Sequence, residues 1–364
     1  MDVRIASVEQ INVYQATRRL TPSLSKFFWI ALSLFVLLPL WAQDQSFARK
    51  ISRVSEIGMV VSDMDRSVEF YSRVLTFEKI SETEVSGDDY EHLEGLFGLR
   101  MRVVRMRLGG ETVVLTQFLT PVGRPIPPES HSNDRWFQHV AIITSDMDQA
   151  YKSLRQNGVR YISTGPQVLP VHITNAAGIR AFYFRDPDNH VLEVLQFPAD
   201  KGDAKWHKSN PRLFLGIDHT AIVVADTEAS LKFYRDALGL RVAGESENYG
   251  AEQEHLNNVF GARLHITSLR APEGPGIELL EYLTPRDGRP MPADSQSDDL
   301  WAWQTTLAVL DLHGQLQALR IGKYPLVSPD IVRIPNSALG LEEEFLARDP
   351  DGHLIRFTAP LHDS

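Results

Sequence analysis

Four stretches of the chain repeat one pattern of apolar and polar positions: SEIGMVVSD ending at Asp63, WFQHVAIITSD at Asp146, IDHTAIVVAD at Asp226 and WQTTLAVLD at Asp311. In each, an apolar run of strand length ends at an aspartate, and a helical pattern follows: MDRSVEFYSRVL, MDQAYKSLRQNG, TEASLKFYRDALG or LHGQLQALRIG. Apolar residues there fall at helical spacing, as Val68, Tyr71 and Leu75 do. Asp63, Asp146 and Asp226 are expected N-caps, because a carboxylate can accept from the free N–H groups of a first turn. Gly158, Gly239 and Gly322 stand where a helix C-cap is expected. Strand patterns come next. DPDNH and DPDG read as tight turns, with His190 and His353 beside them as turn or surface residues. The unit is βαβββ, four times over.

The modules pair along the chain. HLEGLFGLRMRVV (His92–Val104) matches HLNNVFGARLHIT (His255–Thr267), and FRDPDNHVLEV (Phe184–Val194) matches ARDPDGHLIRF (Ala347–Phe357). This predicts two homologous domains, 50–200 (modules 50–120 and 136–198) and 211–362 (modules 211–285 and 300–360), joined by a polar linker, 201–210. A module that cannot bury its own apolar face must pair with another, so the two modules of a domain are expected to close around a cleft. Seven residues before each aspartate stand Glu56, His139, His219 and Gln304, four polar residues at one equivalent place.

Composition narrows the chemistry. The 364 residues suffice for two domains with good cores. A net charge of −10, with no dense basic run outside the N-terminus, argues against a nucleic-acid partner. Absence of cysteine removes disulfides, thiolate nucleophiles and thiolate metal sites. Near the start, Arg18, Arg19 and Lys26 precede the apolar run Phe27–Leu40, and small residues follow near Ala42 and Ala48. That order describes a secretory signal over 1–48. In a bacterium it would send the protein to the periplasm or beyond, leaving no stable membrane span once cleaved; the alternative is an uncleaved anchor. No GxSxG elbow, phosphate loop or dinucleotide fingerprint is present.

The strand–Asp–helix openings, the pairs Phe70–Tyr71 and Phe233–Tyr234, and the DPDNH and DPDGH turns resemble the vicinal oxygen chelate superfamily. That group includes glyoxalase-type lyases, methylmalonyl-CoA epimerases, extradiol dioxygenases and bleomycin- or fosfomycin-resistance proteins. The resemblance implies an α+β fold of two tandem vicinal-oxygen-chelate domains, with metal ligands on the opening and last strands of each module. The last-strand candidates are Gln117, Glu193, Glu281 and Arg356. The first domain would then hold one divalent ion (Zn, Fe, Mn, Ni or Co) through Glu56, Gln117, His139 and Glu193, with Glu56 or Glu193 as the catalytic proton carrier. In the second domain His219, Glu281, Gln304 and Arg356 would form a degenerate site, because a guanidinium cannot coordinate a cation.

The implied activity is that of a metal-dependent lyase or isomerase acting on a small oxygenated substrate. A metal-free binding protein of the resistance type is the alternative. An extradiol-type dioxygenase comes third, because Glu56 replaces the second histidine such enzymes use. Both clefts can form within one chain, so a monomer or a homodimer is expected.

Overall fold

A computed structural model describes residues 51–359 apart from Asn336. The segment 1–48, read above as an export signal, lies outside the described residues. None of the described helices is long and apolar enough to cross a membrane. Module one contains β1 (Ile51–Val60), α1 (Met64–Arg73), β2 (Glu78–Ser86), α2 (Asp88–Glu94), β3 (Arg100–Leu108) and β4 (Glu111–Thr120). Module two contains β5 (Gln138–Thr144), α3 (Met147–Gln156), β6 (Arg160–Tyr161), β7 (Gln167–Val168), β8 (Arg180–Arg185) and β9 (Val191–Gln196). Module three contains β10 (Phe214–Val224), α4 (Thr227–Leu231, continued by a π-helical turn to Ala237), β11 (Arg241–Tyr249), α5 (Ala251–Asn257), β12 (Arg263–Arg270) and β13 (Gly276–Thr284). Module four contains β14 (Gln304–Val309), α6 (Leu312–Ile321), β15 (Val332–Arg333), β16 (Glu343–Arg348) and β17 (Leu354–Thr358). The opening aspartates act as N-caps: Asp63, Asp146, Asp226 and Asp311 accept from the N–H three residues on.

The modules do not share sheets in chain order. Module one pairs with module four in an eight-stranded sheet, β15-β16-β17-β14-β1-β4-β3-β2. Module two pairs with module three in a nine-stranded sheet, β11-β12-β13-β10-β5-β9-β8-β6, with β7 as the ninth strand, also paired to β8. The junctions are the antiparallel pairs β1–β14 and β5–β10. This corrects the expectation that each domain closes its own cleft. The two modules of a domain do share a core, but on the helix side of their strands. Tyr71 and Leu75 meet Ile142, Leu154 and Phe182 in the first domain, and Phe233 and Leu238 meet Leu316 and Phe345 in the second. The opposite face of each sheet curls around a cleft built by both domains.

Two long connections, 121–137 and 285–303, carry the chain from one sheet to the other, and they lock together. Arg124 grips the buried Asp299 at 2.6 and 2.9 Å, and Arg289 grips the buried Asp134 at the same distances. The connections run backbone to backbone at Gly123 and Gly288, where a Cβ would lie 2.0 Å from the Asp298 carbonyl oxygen and 1.9 Å from that of Asn133.

The DPDNH and DPDG turns also tie the domains together. His190 and His353 are buried, not on the surface. The His190 ring lies 2.8 Å from Asp186 Oδ2 and 2.9 Å from the Leu300 carbonyl. The His353 ring lies 2.9 Å from Asp349 Oδ2 and 2.7 Å from the Arg135 carbonyl. Burial opposes charge on these rings, but Asp186 and Asp349 outweigh it and raise both pKa values. A raised folded-state pKa gives stability that is complete below about pH 6.5 and fades as pH climbs through the folded value. Melting temperatures followed by circular dichroism from about pH 6 to 9 should therefore fall more steeply for wild type than for a His190→Asn/His353→Asn protein.

Candidate metal centre

The cleft between modules two and three has a volume of about 830 Å³. On its floor β5 and β10 run antiparallel, with His139 opposite Ala221 and Ala141 opposite His219. Alternation puts all four on one face, and the two alanines leave room for the two rings, whose centroids are 5.6 Å apart. The flanking strands each add a carboxylate beside the floor: Glu193 pairs with Ala141, and Glu278 with Ala221. His139 Nε2 lies 3.2 Å from Glu193 Oε2, and His219 Nε2 lies 3.7 Å from the same atom and 3.4 Å from Glu278 Oε2. Ligand atoms of His139, Glu193 and His219 all fall within 4.8 Å of one another.

The two halves of this site are held differently. His219 Nδ1 lies 3.0 Å from Asp218 Oδ2, and Asp218 in turn accepts from Arg270 and from the Trp206 indole of the linker. Glu278 accepts from Ser268. Burial disfavours charge on His219, yet Glu278, Asp218 and Glu193 push its pKa up to about 9. Both ring nitrogens of His139 are buried and have no hydrogen-bond partner among the described residues. The two imidazoles approach the Glu193 carboxylate at 3.2 and 3.7 Å, and no hydrogen bond to it is made among those residues. Tyr183 stands directly across β8–β9 from Glu193. Burial, then Glu193, pushes its hydroxyl pKa well up, so it stays neutral.

The structure divides the residues expected at the two sites. His139 and Glu193 do meet, and His219 joins them rather than a degenerate second site. Glu56 lies in the other sheet and pairs with Arg105 at 2.6 Å. Gln117 and Glu281 face the helices: Gln117 Oε1 accepts from Met64 N, and Glu281 Oε2 from Thr227 N. Both lie three residues further along their strands than Glu193 does along its own, and an odd offset turns a strand residue to the opposite face. The residues equivalent to Glu193 are Val114, Glu278 and Arg356, so Glu278 is the ligand candidate missed. The signal for it was Gln196, three residues beyond Glu193, which accepts from Met147 N as Gln117 does from Met64 N.

The second cleft, between modules one and four, is closed. About 30 Å³ remains, beneath Leu339 and Leu341 of the β15–β16 connection. Arg356 occupies the place of Glu193 and is bound by Glu94, by Glu344 at 2.6 Å and by Gln304.

Comparison with known proteins agrees with this geometry. A profile of the "Glyoxalase/Bleomycin resistance protein/Dioxygenase superfamily" matches residues 53–194 and again 216–357. A lactoylglutathione lyase of Arabidopsis thaliana is 22% identical over 187 residues, 51% of this chain and 54% of the plant protein, so the chain spans about half the length of that relative. A 2-epi-5-epi-valiolone epimerase of an Actinomyces species is 31% identical over 153 residues, 40% of this chain and 80% of the epimerase. The solved structure of glyoxalase I from Zea mays superposes with a TM-score of 0.54 at 16% identity, covering 84% of this chain and 92% of that one. This last likeness is one of fold.

Proposed function

Because the chain belongs to the glyoxalase/bleomycin resistance protein/dioxygenase superfamily, we propose that it is a metal-dependent lyase or isomerase that moves a proton on a small α-oxygenated carbonyl compound. The observation that carries this reading is the convergence of His139, Glu193 and His219, with both His139 ring nitrogens buried and making no hydrogen bond among the described residues, Nε2 lying 3.2 Å from Glu193. A buried imidazole without a partner is costly, and a cation relieves that cost. His139, His219, Glu193 and Glu278 would hold it, and two carboxylates balance a divalent charge. Once bound, the ion supplies Lewis acidity that polarises a carbonyl and makes the neighbouring C–H bond more acidic.

The protein's own groups then divide the work. Ser268 fixes Glu278, and Asp218 fixes His219. Glu193, without such a tether, turns toward the substrate, takes the proton from carbon and returns it. Tyr183 stays neutral beside it as a hydrogen-bond donor. Two histidines and Glu193 also compose the ligand set of a non-haem iron oxygenase, so Glu56 no longer counts against that chemistry. Glu278, 3.4 Å from His219, would bring a second carboxylate to the ion, which favours proton transfer over oxygenase chemistry.

Metal analysis tests the reading. The purified protein, reconstituted with Zn²⁺, should hold about one equivalent. His219→Ala should lose it, while Glu56→Ala and Gln117→Ala should keep it. A wild-type protein that retains no metal would leave only the metal-free binding role.

A further inference from the structure

Of the buried polar atoms without a partner among the described residues, three belong to side chains lining the open cleft: the two ring nitrogens of His139, and Oδ1 of Asn248. The first two are accounted for by the metal centre. The third ends a chain of buried side chains. Asn248 Nδ2 donates to Gln253 Oε1 at 3.1 Å, Gln253 Nε2 donates to Asn257 Oδ1, and Asn257 Nδ2 donates to the Tyr282 hydroxyl. All four residues are buried. Each amide donates to the next residue, so the chain locks each amide's orientation and leaves Oδ1 of the cleft-lining Asn248 as the acceptor without a partner. Hydrogen bonds aligned in this way polarise one another and strengthen the terminal acceptor.

The closed cleft shows that the fold does not require this arrangement. With α5 set on α2, the equivalent residues in module one are Val85, Tyr90, Glu94 and Phe118. The position of Asn248 is held by an apolar side chain in the hydrophobic cluster under that cleft. Glu94 turns to Arg356, and the Tyr90 hydroxyl meets Ser337 of the closing connection. Unsatisfied buried polar atoms cost stability. The oriented amide chain therefore occurs in the cleft that carries the histidines and is open, while in the closed cleft the place of Asn248 is taken by the apolar Val85.

We propose that Asn248 is a substrate-positioning residue. Its Oδ1 accepts from a neutral O–H or N–H donor on the arm of a substrate whose other end lies at the metal centre. This rests on the reading of that centre given above, and it names the substrate as one that carries a hydrogen-bond donor beyond its chelating oxygens.

Two metal-chelating hydroxamates of equal chain length test it on the Zn²⁺-reconstituted protein by calorimetry: gluconohydroxamic acid, with a hydroxylated arm, and hexanohydroxamic acid, with an alkyl arm. Wild type should prefer the first. Asn248→Leu should weaken gluconohydroxamate roughly tenfold and leave hexanohydroxamate unchanged, since a site built around a hydrogen bond discriminates against its absence. The variant should melt close to the wild-type temperature, because it exchanges one unsatisfied acceptor, Asn248 Oδ1, for another, Gln253 Oε1. Gln253→Leu, which keeps Asn248 but frees its amide to turn, should lose part of the preference. If Asn248→Leu weakens both ligands alike, or neither, the proposal is overturned while the metal centre stands. If neither ligand binds wild type, the reading of the centre falls and the proposal falls with it.

Discussion

Glu193→Gln is expected to keep its metal and to exchange the C–H protons of hydroxyacetone in D₂O some ~10²–10⁴ times more slowly than wild type, the usual worth of a positioned general base. The amide leaves an oxygen where the carboxylate stood but cannot take a proton. His139, His219 and Glu278 remain to hold the ion. Glu278→Gln should do the reverse. Glu278 is tied to Ser268, so its loss should lower metal affinity while exchange by the loaded protein persists. Proton NMR reads the exchange, and metal analysis of the same samples reads the loading. Exchange by Glu193→Gln within about tenfold of wild type would be too fast for a protein that has lost its base, and the assignment of Glu193 would fail. Slow exchange by Glu278→Gln with full metal would transfer the role to Glu278.

The two clefts show how one arrangement of strands serves two ends. At equivalent places the open cleft has His219, His139, Glu278 and Glu193, and the closed one has Glu56, Gln304, Val114 and Arg356. The first set gathers two imidazoles and two carboxylates, of which His139, His219 and Glu193 could hold a cation. The second brings its own cation, and Leu339 and Leu341 remove the space a ligand would use.

The modules were legible in the sequence because strand, capping aspartate and amphipathic helix are local features, and each repeats. Alternation alone leaves the facing of Glu193 open, because apolar residues lie on both sides of its strand; the family resemblance points it inward, and it lines the open cleft. The pairing of modules was not legible, because four near-identical hydrophobic patterns say nothing about which two share a sheet. One clue lay in the connections. The short polar linker 201–210 keeps modules two and three in one sheet, whereas 121–137 and 285–303 are long enough to change sheets. Glu281 is expected at the second site in place of Glu278 because both are glutamates on one strand. In IELLEYLTP two glutamates lie three apart, and only alternation separates the cleft-facing Glu278 from the helix-capping Glu281. Asp218 escaped notice because a residue beside a ligand in sequence faces away from it along an ideal strand. Here a register irregularity between Ile217 and His219 brings its carboxylate back to the ring.

Arg356→Leu should lower stability by about 3–5 kcal/mol, the usual cost of stripping the partner from buried charge, and leave metal content unchanged. Arg356 lies between Glu94 and Glu344, both almost wholly buried, and also bonds to Gln304. Without the guanidinium the two carboxylates lose the cation bonded to them, and Arg105, which also lines the closed cleft, is engaged by Glu56. Burial already raises the Glu344 pKa against the pull of Arg356, with Glu94 and Glu56 adding to the rise. In the variant that rise should be larger. A carboxyl group with a raised folded-state pKa costs stability once pH exceeds its unfolded value, so the deficit should shrink as the pH falls toward about 4.5. Adding Glu94→Gln and Glu344→Gln should recover most of the loss at neutral pH, because the repulsion and the buried charge go together. Urea titrations at two pH values measure all three proteins. A single variant that melts like wild type would mean that the closed cleft admits water and that Arg356 does not hold it shut.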